Sequence, residues 1–208
     1  MENHAKFFRR IAKRIARILL IPALRKKKMM MRDNEQFRES LRLLLASIGL
    51  ENGVMVEIGS YRGESAEVFL GTGRLKRLYC VDPWKGFYDV DDGAAFTDMR
   101  KVEADFDRRH AADARVVKCK GTIDDFVEQF KGIPVDVVYI DGLHTYEGVR
   151  HDIETAQRLI KPRLAIAGHD FNPNWPGSKA AVLELLGEPD KVFADTSWVK
   201  FCREEGAK

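Results

Sequence analysis

Cysteine is scarce in this chain: three in 208 residues, an odd number with no C-x-x-C spacing. That excludes a disulfide framework and a zinc ribbon. Cys80 and Cys119 fall inside apolar strand-like runs and read as small core residues of a protein in a reducing, cytoplasmic compartment. Long apolar runs are missing as well. Within the N-terminal segment the longest uncharged stretch, Ile18 to Leu24, is far too short to span a bilayer. More basic residues follow it, which argues against a cleaved secretory signal. No internal repeat or low-complexity linker follows residue 32. Disorder is excluded by composition, since 45% of the residues are hydrophobic.

A net charge of +3 conceals two unlike parts. Residues 1–32 carry eleven Lys or Arg against the single acid Glu2, which leaves −7 for residues 33–208. We therefore expect a basic arm over 1–32 and one globular domain over 33–208. An acidic domain disfavours a nucleic-acid groove across its face. Phe8, Ile11, Ile15, Ile18 and Leu19 recur every three or four residues, so the arm reads as an amphipathic helix with a basic face. Such a helix suits an anionic membrane surface, with the protein peripheral on its cytoplasmic side. Packing on the domain or on a second copy in a homo-oligomer is the main alternative, and service as a targeting peptide comes after it.

Beyond the arm, Asp33 is placed to cap a helix that carries Phe37, Leu41, Leu44, Leu45 and Ile48 and stops at Gly49. Strand and helix signals then alternate. Strands are expected at 54–58, 78–81, 116–119, 135–140 and 164–167. Helices are expected at 63–70, 96–110, 123–130, 146–160 and 179–186. A hairpin over 191–194 and 198–202 closes the chain around Asp195-Thr196-Ser197. Apolar strands alternating with helices imply an α/β fold: a mostly parallel, doubly wound sheet covered on both faces, with a C-terminal antiparallel hairpin. Ligands in such a fold sit at the carboxyl ends of the strands.

The most informative stretch lies at the first strand-to-helix turn, Glu57-Ile58-Gly59-Ser60-Tyr61-Arg62-Gly63-Glu64-Ser65. Its G-x-x-x-G spacing does not fit the dinucleotide fingerprint. A carboxylate at Glu57 would repel a pyrophosphate, yet it suits the amino group or sulfonium of S-adenosylmethionine (SAM). The second strand ends in Val81-Asp82-Pro83-Trp84, where Asp82 can accept both ribose hydroxyls. Ser65 and Trp84, flanking these two acids, join the cofactor-binding candidates.

This turn resembles the acid-x-Gly-x-x-x-Gly motif of class I SAM-dependent methyltransferases, whose Rossmann-like fold matches the element order above. Ile140-Asp141-Gly142-Leu143-His144-Thr145-Tyr146-Glu147-Gly148-Val149 is similar to the IDG-x-H-x-Y-x-x-V segment of the macrocin O-methyltransferase and cephalosporin hydroxylase-like group. Ala167-Gly168-His169-Asp170-Phe171 also follows that pattern. The resemblance covers about residues 50–202. It implies SAM contacts at Gly59, Ser60, Gly63, Asp82 and Asp141, with Gly121 and Thr122 beside the adenine.

Asp141 follows the fourth strand, and His169 and Asp170 follow the fifth. Two carboxylates and an imidazole in one cleft are costly unless bonded or held on a cation. The resemblance implies a divalent metal on Asp141, His169 and Asp170. His169 stands where relatives often carry an acid, which leaves the ion open: Mg²⁺ or Mn²⁺, and after them Fe²⁺. The expected reaction is O-methylation of a hydroxyl on a sugar, glycan or small natural product. A metal-bound hydroxyl is more acidic, and His144 near Asp141 is the preferred base; the alternative gives His144 a structural role fixing Asp141. His110 and His151 read as surface helix positions. Residues 84–97 form a long aromatic loop, either a lid or a packed surface loop, and Trp175 either stacks on an acceptor ring or fills a turn. Two competing readings keep the fold and change the function: a metal-centred hydroxylase-like relative, and a non-enzymatic membrane or assembly protein.

Overall fold

The computed structural model describes residues 35–89 and 92–202. The amphipathic helix expected in the basic arm, and Asp33, lie outside these residues. The chain begins with α1 (Glu35–Ile48), followed by β1 (Gly53–Ile58), α2 (Glu64–Gly71) and β2 (Leu75–Asp82). A long loop with one 3₁₀ turn leads to α3 (Met99–His110), β3 (Val116–Lys120) and α4 (Ile123–Gln129). Then come β4 (Val137–Ile140), α5 (Tyr146–Thr155), β5 (Ala165–Gly168), α6 (Pro176–Leu186), β6 (Lys191–Val192) and β7 (Trp198–Phe201).

The seven strands form one sheet in the order β3-β2-β1-β4-β5-β7-β6. The first five are parallel, and β7 pairs antiparallel with both β5 and β6. Strand alternation sends successive side chains to opposite faces. Met55, Val137, Tyr139, Ala165 and Ala167 pack beneath α1, α2 and α3. Val54, Val56, Ile58, Val138, Ile140 and Ile166 pack beneath α4, α5 and α6. Two apolar layers therefore flank a sheet whose central strands are buried along their whole length. Tyr139 is fully buried, edge-on to Phe69 at 5.0 Å between ring centroids.

Local chemistry sets the helix boundaries. Asp98 caps α3, Thr145 caps α5, and Thr122 with Asp125 forms a reciprocal capping box on α4. Pro176 occupies the first turn of α6, where a missing N–H costs nothing, so this helix begins before the expected Lys179. The segment expected as one helix over 146–160 ends instead in a π turn, Ala156–Ile160. One expectation is overturned outright. His110 is 7% exposed rather than on the surface, with Nε2 3.0 Å from the Gly63 carbonyl oxygen and its ring against Phe106. Burial outweighs that bond and lowers its pKa.

Candidate active site

Carboxyl ends of the parallel strands converge on a cavity of about 400 Å³. Two loops touch at its floor. Gly59 follows β1 at φ +89°, and a Cβ there would lie 2.0 Å from the carbonyl oxygen of Asp141. Only glycine permits that approach. Gly63 has φ +79°, and a Cβ there would meet the His110 ring at 2.3 Å. Its freedom therefore serves packing on α3.

Strand parity decides what Glu57 does. It follows Met55 onto the α2 side of the sheet, is 0% exposed, and accepts hydrogen bonds from the hydroxyls of Ser60 and Ser65. The carboxylate expected to meet a ligand amino group directly is instead built into the β1–α2 loop. Asp82 does reach the cavity wall. Its oxygens accept from the backbone N–H groups of Tyr61 at 2.8 Å and Trp84 at 2.6 Å, which ties the β1–α2 and β2–α3 loops together. Trp84 turns inward: its ring packs on Phe106 at 5.0 Å and its Nε1–H donates to the Tyr61 carbonyl. Of the expected cofactor residues, Gly59, Asp82, Gly121, Thr122 and Asp141 line the cavity. Glu57, Ser60, Gly63, Ser65 and Trp84 stand behind it and hold its wall.

The other end of the cavity is built around His144. Asp89, from the β2–α3 loop, accepts both the His144 backbone N–H at 3.0 Å and its Nδ1–H at 2.7 Å. That leaves Nε2 facing 2.7 Å from Asp170 Oδ2 and 3.7 Å from Asp141 Oδ1. Trp175 stacks on the imidazole with 4.3 Å between ring centroids. Asp170 adopts φ +63°, a left-handed conformation at the end of β5 that turns its side chain from the strand direction. Ligand-type atoms of Asp141, His144 and Asp170 all lie within 4.8 Å of one another, and all three residues are buried.

His169, the imidazole expected in that group, takes another direction. Adjacent residues at a strand end point to opposite faces. His169 turns toward α1, edge-on to Phe37 with 6.0 Å between ring centroids, and its Nε2 lies 3.8 Å from Asp195 Oδ2. Nδ1 lies 3.2 Å from Asp170 Oδ1 and 3.7 Å from Asp141 Oδ1. Burial opposes its charge, but the carboxylates of Asp141, Asp170 and Asp195 win and raise its pKa. Burial likewise opposes ionisation of Asp170, and the adjacent imidazoles of His144 and His169 hold its carboxyl well below the usual range. His169 thus stands behind the site, and His144 occupies the front.

Sequence reasoning gave Asp89 no role. Its partner is 55 residues away and its loop lacks periodicity, so no local pattern marks it. Asp152 on α5 also lines the cavity, and in the sequence it is one polar residue in a helical pattern.

The fold agrees with the comparisons. A family model described as a methyltransferase domain matches residues 56–171. No match is found among curated protein sequences. Among solved structures, an O-methyltransferase family protein from Burkholderia thailandensis aligns with a TM-score of 0.57 at 15% identity, over 86% of this chain and 58% of that one. An O-methyltransferase from Bacillus cereus, solved in complex with SAH, aligns with a TM-score of 0.52 at 17% identity, over 80% of this chain and 79% of that one. An O-methyltransferase of tomaymycin synthesis from Streptomyces achromogenes, solved with SAM, gives 0.50 at 16% identity, over 76% and 74%. At these identities the likeness is one of fold.

Proposed function

This chain belongs to the methyltransferase-domain family, and from that premise we propose that it transfers the methyl group of SAM to a hydroxyl oxygen of a sugar, glycan or small natural product. Bound SAM supplies the electrophilic methyl; the protein supplies alignment. Asp82 at the end of β2 receives the ribose, Gly121 and Thr122 flank the base, and the amino-acid end lies over Gly59 toward Asp141. The methyl then faces the His144 end of the cavity.

The observation that carries this reading is the convergence of His144 Nε2 with Asp170 and Asp141. With Nδ1–H given to Asp89, Nε2 and the carboxylate oxygen 2.7 Å away both present lone pairs unless a cation stands between them. The contact is also out of line for a ring N–H donor. A divalent ion held by Asp141, His144 and Asp170 fits this buried nitrogen-and-oxygen donor set, with Asp89 orienting the imidazole from behind. When bound, it would draw in the acceptor hydroxyl and lower its pKa. Imidazole in the set favours Mn²⁺ or Fe²⁺ over Mg²⁺. The IDG-x-H-x-Y segment, which places Asp141 and His144 here, supports membership of the macrocin O-methyltransferase-like group.

A second reading uses the same atoms without an ion. Asp89 fixes the tautomer, and His144 Nε2 takes the hydroxyl proton as general base. Turnover assayed with SAM and a panel of hydroxylated acceptors, before and after EDTA and with Mn²⁺ restored, separates the two. Loss and recovery support the ion; indifference supports the base. Absence of SAM or SAH binding by calorimetry at millimolar ligand would sink both, and metal-dependent oxidation without SAH would indicate a hydroxylase-like activity. No helix among the described residues is long and apolar enough to cross a membrane. Anchoring on anionic lipid through residues 1–32, or a homo-oligomer built through them, remains our proposal for the arm. Vesicle co-sedimentation and sizing of the full chain against residues 33–208 test these two roles.

A further inference from the structure

We propose that Asp152 reads the base of the nucleoside: its carboxyl pairs with the amino-bearing edge of the adenine ring and selects adenine over other bases. This rests on the SAM reading above and names a residue that neither the glycine loop nor the ribose acid accounts for.

The placement follows from topology. Asp82 at the end of β2 marks the ribose, so the base lies on the far side, toward β3 and the start of α4. Gly121, Thr122, Ile123 and Asp124 line that part of the cavity, and Gly142, Leu143, His151 and Asp152 close it from the β4–α5 side. Asp152 comes from the second turn of α5. Its Oδ2 would lie 3.5 Å from a Cβ placed on Gly142, so the absence of a side chain there clears the space before it. The residue is 8% exposed, and its carboxyl makes no hydrogen bond or ion pair with any described residue. A nearly buried carboxyl with no partner among the described residues is expensive. Facing a ligand cavity, it is explained by a ligand that supplies the missing bonds.

Burial pushes this carboxyl up to about 7; His151 beside it on α5 opposes the rise and Asp124 on α4 adds to it. His151 Nε2 is itself 3.0 Å from both Asp124 oxygens. In the β2–α3 loop, Tyr88 is the remaining titratable group coupled to Asp152, and its own pKa is raised, first by burial and then by that carboxylate. A neutral carboxyl offers one donor and one acceptor. Adenine presents an amino donor next to a ring-nitrogen acceptor, which is the complementary pair. Asparagine carries the same pair in fixed form.

The test is calorimetric binding of SAH to the full chain and its variants from about pH 6 to about pH 8, the range over which a carboxyl in this environment changes charge. For the unaltered chain, affinity should weaken as the pH rises. Asp152→Asn should bind with no such slope. Asp152→Leu should bind about tenfold more weakly at every pH, as expected for the loss of a buried hydrogen-bonding partner. An SAH analogue with purine in place of adenine should lose about tenfold on the unaltered chain and nothing on Asp152→Leu. Thermal unfolding of each variant reports whether it folds. His151→Gln should keep the pH slope; its loss there would assign the titration to His151 and overturn the proposal. If Asp152→Leu binds as tightly as the unaltered chain and still prefers adenine, Asp152 has no part in base recognition. Failure of the unaltered chain to bind SAH would remove the SAM reading and this one together.

Discussion

Asp89 Oδ2 holds His144 twice, through the backbone N–H at 3.0 Å and the ring Nδ1 at 2.7 Å. A loop residue far away in sequence thus fixes both the position and the tautomer of the imidazole. Asp89→Asn should cut turnover by about 10- to 100-fold, the range seen when an outer-shell partner of a ligating histidine is lost. SAH affinity should stay unchanged. Steady-state kinetics beside calorimetry checks this, and unchanged turnover would leave Asp89 a purely structural loop residue.

Asp141→Ala and Asp170→Ala should each abolish ion-stimulated turnover, because each removes one of the three converging donors. Retained turnover in both variants, insensitive to EDTA, would exclude the metal-assisted reading.

The pH dependence of stability follows from the groups behind the site. His169 is raised above its ordinary 6.5, so its contribution is complete below that pH and is lost as pH rises through the raised value. Asp170 is lowered below its ordinary 3.8, so its contribution is present above that pH and is lost as pH falls through the lowered value. Asp152 is raised to about 7 and contributes in the acid range, losing that contribution as pH climbs from 3.8 to 7. Thermal unfolding should therefore be most favourable to the fold in mildly acid solution. Asp152→Asn should raise Tm at alkaline pH and leave it little changed in acid; an equal shift at both would contradict the raised carboxyl.

Gly59→Ala forces a left-handed backbone on an L residue, at about 1–2 kcal/mol, and drives a methyl into the Asp141 carbonyl. We expect a lowered Tm together with loss of SAH binding. A variant that binds normally would show that the floor is more yielding than the geometry implies.

Leu44 is fully buried between α1 and the sheet. Leu44→Ala should destabilise by about 2–5 kcal/mol, a transfer loss plus a cavity, measurable by urea unfolding with an unchanged m-value.

The order of elements was legible because apolar runs mark the strands, unbroken in β4 and β5, and because α3, α4 and α5 open with side-chain caps. Glu57, Asp82, Asp141 and Asp170 could be placed at strand ends from those runs alone. Direction was harder to read. Whether residue n or n+1 at a strand end faces the cleft depends on the pleat, and a boundary uncertain by one residue reverses the answer. That is why His169 was expected among the donors while His144 stands there, and why Glu57 was expected to touch a ligand while it braces two serines. Asp89 and the burial of His110 were hidden for a different reason. Both depend on contacts between segments 47 or more residues apart, which leave no periodic trace.

The floor of the cavity, where the Gly59 backbone rests against the Asp141 carbonyl, has an evolutionary consequence. Backbone meets backbone there, so no side-chain exchange can deepen the cavity from below. Diversification toward new acceptors, by natural drift or by directed selection, is confined to rim positions such as Lys85, Tyr88, Ala94, Leu143, Thr145 and Glu147. The floor can stay constant while the rim explores.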